Sequence, residues 1–89
     1  MNEKDEKQLI NNIVHDVLIT DHMASARLIG LQEDYDILIS YKLYAIMSRP
    51  QDYLIEIDQN FKKTFMGHDI YVVPDRDDYS YWFANRREV

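Results

Sequence analysis

Two short apolar runs near the end of the chain limit its fold more than any other feature. His68-Asp-Ile-Tyr-Val-Val73 is rich in β-branched and aromatic residues, and Tyr79-Ser-Tyr-Trp-Phe-Ala84 alternates Tyr79, Tyr81 and Phe83 with Ser80, Trp82 and Ala84. Both read as strands. The segment between them, Pro74-Asp-Arg-Asp-Asp78, has turn chemistry, because proline presets φ and aspartate bonds its own backbone. Gly67 marks the start of the first strand. The spacing predicts a C-terminal β-hairpin that pairs 68–73 with 79–84.

A sheet needs an apolar layer to cover it, and the N-terminal third supplies one. Leu9, Ile10, Ile13, Val14, Val17 and Leu18 fall on one face of an α-helix. Glu3, Asp5 and Glu6 precede them, at the end where the helix dipole favours negative charge. The helix is expected from about Glu3 to Ile19. Beyond it, either Thr20 or Asp21 caps a second helix over Asp21 to Ile29 that Gly30 stops, or the first helix runs on. The pattern fits both.

Tyr35-Asp-Ile-Leu-Ile-Ser40 reads as a strand buried on both faces. Ser40 is placed to cap a helix over Tyr41 to Ser48, with Leu43, Tyr44 and Met47 inward, and Arg49-Pro50 ends it. Residues 52–66 carry two patterns. Tyr53, Ile55 and Ile57 alternate as a strand does, while Leu54, Ile57, Phe61 and Phe65 sit at helical spacing. Strands are favoured, because Asp58-Gln-Asn60 makes poor helix interior and a good turn. The expectation is an α+β fold, with N-terminal helices packed on a small antiparallel sheet and one domain over residues 1–89.

Composition excludes whole classes of chemistry. The chain has no Cys, which removes disulfides, thiol nucleophiles, cysteine zinc sites and iron–sulfur clusters. The charged start, Met1-Asn-Glu-Lys-Asp-Glu-Lys7, lacks the basic-then-apolar layout of a signal peptide. No apolar run approaches the ~20 residues that cross a bilayer. The expected setting is the cytoplasm of a host cell or a virion, with no membrane partner. Net charge is −6, with the acid surplus toward the two ends. That balance disfavours nucleic-acid binding, which needs bases against phosphates, and suits a basic partner or mimicry of nucleic-acid charge.

The remaining candidates for chemistry are few. His15 and His22 stand seven apart without the carboxylate spacing of a metal site, and His68 beside Asp69 reads as a surface residue at a strand start. Asp75, Asp77 and Asp78 lack the alternating ligands and mid-loop glycine of a calcium loop. Gly30 and Gly67 stand alone, so there is no phosphate-cradling loop, and no serine sits in a nucleophile elbow. We therefore assign no catalytic residue, cofactor or metal and expect a non-enzymatic protein. What folding does not absorb is the aromatic surplus at the end of the chain. Tyr79, Tyr81 and Trp82 with Arg86 and Arg87 have the composition of an interface, and Asp75, Asp77 and Asp78 would give it an acidic border.

The order of Asp36-Ile-Leu-Ile-Ser40, then Tyr41-Lys-Leu-Tyr-Ala-Ile-Met47, then Phe65-Met-Gly-His-Asp-Ile-Tyr-Val-Val73 resembles the axial domain of tailed-phage major capsid proteins. The likeness covers about 50 residues, from Asp36 to Ala84. Those proteins also carry a peripheral domain with a long helix and an extended loop, for which this chain has no room. The resemblance thus implies an isolated domain rather than a shell subunit. The small, acidic, aromatic-rich makeup is also similar to that of accessory proteins of phages and mobile elements. The expected function is binding of a protein partner, as an inhibitor of a host protein. The alternatives are a structural or assembly component of a phage particle, which could self-associate as a homo-oligomer, and a small enzyme or ligand-binding domain.

Overall fold

The first helix, α1 (Glu3–Ser25), is continuous over 23 residues. In this computed structural model, which describes residues 2–49 and 54–86, the Asn2 side chain caps α1 by accepting the Asp5 N–H at 2.9 Å. Of the two readings left open at Thr20, the continuous helix holds, because the inward stripe of Ile13, Val17 and Ala24 runs past it. The helix ends at Ser25, and its left-handed stop is Arg27 rather than Gly30. Arg27 takes a left-handed φ of 58°, the Leu28 N–H reaches back to the Met23 carbonyl at 2.9 Å and the Arg27 N–H to Ala24 at 3.1 Å. This is the double backbone bond of a Schellman stop, with arginine where glycine is usual.

After a loop, β1 (Asp36–Ser40) leads directly into α2 (Tyr41–Met47). Ser40 is the cap, its hydroxyl accepting the Leu43 N–H at 3.3 Å. The described part of the 52–66 tract forms strands, as favoured, although shorter ones: β2 (Glu56–Ile57), both residues exposed rather than alternately buried, and β3 (Lys63–Phe65). Asp52 and Tyr53 lie outside the described residues. The turn between β2 and β3 is built on Asp58, whose carboxylate accepts the Asn60 and Lys62 N–H groups at 2.8 and 2.9 Å. Then follow β4 (His68–Val73) and β5 (Tyr81–Ala84).

The α+β class holds, but the sheet is mixed. Its order is β2-β3-β4-β1-β5, with β1 parallel to β4 and antiparallel to β5. The expected hairpin of 68–73 with 79–84 is therefore corrected, because β1 lies between those strands. The physical reason is burial. β1 is enclosed on its core face rather than on both, with Ile37 and Ile39 fully buried there, and a central place in the sheet sets them under the helices. One edge of β4 is already taken by β3, through a two-residue turn at Met66 and Gly67 with φ of 51° and 86°, the backbone of a type I′ hairpin. Residues 74–80 then carry the chain past β1 rather than folding it back tightly.

The core is one cluster: Ile13 and Val17 from α1, Leu43 and Met47 from α2, and Tyr35, Ile37, Ile39, Phe65 and Ile70 from the sheet and its approach. Both helices thus cover the same sheet face. The Arg49 guanidinium fastens the end of α2 to α1 by donating twice to the Glu6 carboxylate, once at 3.0 Å. Among the described residues no element covers the opposite face.

Candidate functional site

Strand alternation decides what the uncovered face displays. With Ile37, Ile39 and Ile70 turned to the core, Asp36 and Leu38 of β1, Asp69 and Tyr71 of β4, and Trp82 and Ala84 of β5 point the other way. The register aligns Tyr71 with Leu38 and Leu38 with Trp82. Three large apolar side chains thus stand side by side on three neighbouring strands, with Tyr71 53% and Trp82 37% exposed. The Arg76 guanidinium lies 5.4 Å from the centre of the Trp82 ring, within cation–π range. Phe61, at the tip of the β2–β3 turn, is 82% exposed and held at φ 61°, a backbone region that bulky residues rarely enter.

Beside this row lies a cleft of about 660 Å³, with Leu38, Tyr71 and Ala84 as apolar walls and Asp36, Asp69, Lys62 and Arg86 at its polar end. Ile37 aligns with Ile70, so Asp36 and Asp69, one position back, are lateral neighbours on parallel strands. Both are buried, and like charges placed so repel. Arg86 bridges them: its Nη2 donates to Asp69 at 2.9 Å, its Nε stands 3.6 Å from Asp36 Oδ1, and its Nη1 is 4.0 Å from Asp34. Lys62 adds a second cation 3.2 Å from Asp69. The neighbouring Asn85 side chain accepts the Gln32 N–H at 2.7 Å and donates to the Gly30 carbonyl at 3.1 Å, fixing the end of β5 to the loop before β1.

Of the residues the sequence singled out, Trp82 and Arg86 meet on this face. Tyr81 points to the other side, where its hydroxyl donates to Asp16 of α1; burial, then that carboxylate, push its ionisation above the ordinary value. Tyr79 is half-buried, with the Lys42 ammonium 5.8 Å from its ring centre. Asp77 accepts the Tyr41 hydroxyl at 2.9 Å and pairs with Lys42 at 2.8 Å. Lys42 and then Tyr41 hold its carboxyl below the usual carboxylate range. Asp78 accepts the Ser80 hydroxyl at 2.6 Å and backbone N–H at 3.2 Å, and Ser80 likewise holds its carboxyl low. Asp75 is exposed, and Arg87 lies outside the described residues. Asp77 and Asp78 thus order the approach to β5.

Sequence reasoning missed Tyr71, Leu38, Phe61 and the Asp36–Asp69–Arg86 cluster as members of the face. The two-residue period of 68–73 already puts Asp69 and Tyr71 on one side, and that was the available signal. His68 is a correction, since it is buried rather than at the surface. Its Nδ1 lies 2.9 Å from the Tyr35 carbonyl, which can only accept, so that nitrogen carries a proton. Its Nε2 lies 2.7 Å from Asp21 of α1, and the ring stacks on Tyr35 at 3.9 Å. His68 therefore joins α1 to β4. His15 and His22 are exposed on α1. Among the described residues no helix is long and apolar enough to cross a membrane. No family model, curated protein or solved structure matches this chain.

Proposed function

We propose that this chain is a non-enzymatic protein-binding module whose working surface is the open face of its sheet. The observation that carries the reading is the Tyr71–Leu38–Trp82 row, in register across β4, β1 and β5 and left uncovered among the described residues. Tyr and Trp beside Arg are the residue types in which binding energy concentrates, because they bury much area and keep a polar handle.

Charge favours a different protein over a second copy. At −6 two copies repel, whereas a basic surface is attracted and steered. We favour occupation of a host protein as an inhibitor, and the assembly role is the alternative that calls for self-association. The test is a capture experiment from host lysate with the wild type and the Tyr71→Ser, Trp82→Ser double variant side by side, with sedimentation of the wild type alone. A stoichiometric partner held by the wild type and lost by the equally folded variant, from a monomeric chain, is expected. Equal capture by both proteins rejects the sheet face, and concentration-dependent oligomers would favour assembly.

A further inference from the structure

We infer that the cleft beside the aromatic row seats a cationic side chain of the partner, a guanidinium or ammonium carried on an aliphatic stem. The inference rests on the reading of the open face as a protein-binding surface and specifies what that surface recognises. At about 660 Å³ the cleft is within the usual size of ligand sites, roughly 300–1,000 Å³. Its length is apolar, from Leu38 and Ala84 with the Tyr71 ring alongside, which suits methylene groups. Its end holds Asp36 and Asp69 with Lys62 and Arg86 beside them, and the one carboxylate oxygen there that lacks a donor suits the head of such a side chain.

The decisive feature is a shortage of hydrogen-bond donors at Asp36. Asp36 is only 8% exposed, and its Oδ1 is shielded from solvent without a hydrogen-bond partner. The nearest cationic atom, Arg86 Nε, is 3.6 Å away, too far for a hydrogen bond. Both resident cations spend their short contacts on Asp69, Arg86 at 2.9 Å and Lys62 at 3.2 Å. A buried carboxylate without a donor is costly, and a guest that brings donors removes that cost. An incoming guanidinium displaces the Arg86 Nε edge from Asp36 while Arg86, itself 44% exposed, keeps its bond to Asp69. An anionic guest would instead meet Asp34, Asp36 and Asp69, whose two cations are already engaged. The Tyr71 ring gives the cation a second favourable surface.

The experiment follows backbone amide NMR signals of the whole chain during titration with n-butylguanidinium, with n-butyrate and 1-butanol as controls at constant ionic strength. Saturable, millimolar-range shifts centred on Asp36, Leu38, Asp69 and Tyr71 are expected for the cation alone. Asp36→Asn, close in shape, should weaken the cation about tenfold with the rest of the spectrum unchanged, and Tyr71→Ala should weaken it several-fold. Absence of saturable shifts there, equal shifts from butyrate or butanol, or an unchanged affinity in Asp36→Asn overturns the inference. Failure here leaves the docking reading standing if the Tyr71→Ser, Trp82→Ser variant still loses its partner. Cation binding by a chain whose double variant keeps its partner would have the opposite meaning.

Discussion

Replacing Arg86 by Ala tests the electrostatics of the open face. The change leaves Asp36 and Asp69, neighbours on parallel strands with side chains 11% and 10% exposed, without their shared cation. Breaking a fully buried ion pair costs about 3–5 kcal/mol. Arg86 is nearly half exposed and Lys62 remains beside Asp69, so screening reduces the expected loss to about 1–2 kcal/mol. For a domain of this size that lowers Tm by about 5–15 °C. The assay is thermal unfolding by circular dichroism near pH 7, with Asp36→Asn added in the same background. The account predicts that Asp36→Asn recovers a large part of the loss, because it removes one of the two repelling charges. A Tm within a degree or two of the wild type, or no recovery, would refute the argument that Arg86 holds two buried acids together. The same result bears on function, since Arg86→Ala confounds binding with stability, whereas Tyr71 and Trp82 can be changed with less structural consequence.

Three further outcomes are expected. Met66→Asn should stabilise the chain by about 0.5–1 kcal/mol, because Met66 is held at φ 51° in a turn whose preferred pair is Asn-Gly; chemical denaturation would read the gain, and a loss would contradict the type I′ assignment. Phe65→Ala, at a position 1% exposed, should cost about 3–5 kcal/mol, a large share of the ~5–15 kcal/mol available to a small domain, and an unchanged denaturation midpoint would place Phe65 outside the core. At alkaline pH, burial first and nearby carboxylates second raise the ionisation of Tyr35 and Tyr81 above the ordinary 10. Their neutral forms are thus favoured by the fold, so this stability is complete below pH 10 and declines as pH rises beyond it. Absorbance at 295 nm should show two tyrosines ionising together with unfolding, and two that ionise freely near pH 10 in the folded chain would disprove it.

Much of the fold was legible, and what was not has specific causes. The inward stripe of α1 and the Ser40 cap are local features, and local features leave periodic or positional marks. The continuity of α1 through Thr20 and Asp21 was hidden because Asp21 resembles a cap in sequence, whereas its carboxylate meets His68, 47 residues away. The parallel pairing of β1 with β4 spans the whole α2–β3 segment, and no residue pattern records a partner at that distance. One clue was present: an apolar run such as 36–40 belongs in the middle of a sheet, even though only its Ile37–Ile39 face proves to be covered, and that argues against pairing 68–73 directly with 79–84. For the site, the alternation in 79–84 showed aromatics on both faces without showing which faced out. Only register reveals that Tyr81 serves the helix layer while Trp82 joins Leu38 and Tyr71.

The central claim, that the open sheet face is the docking surface, is tested most directly by site-specific photo-crosslinking. A photoreactive phenylalanine analogue is placed singly at Tyr71 or Trp82, and at Leu18 or Leu28, which are 55% and 68% exposed elsewhere on the molecule. The account predicts one discrete adduct from positions 71 and 82 and none from 18 and 28. Adducts from the α1 side with none from the sheet face would contradict it.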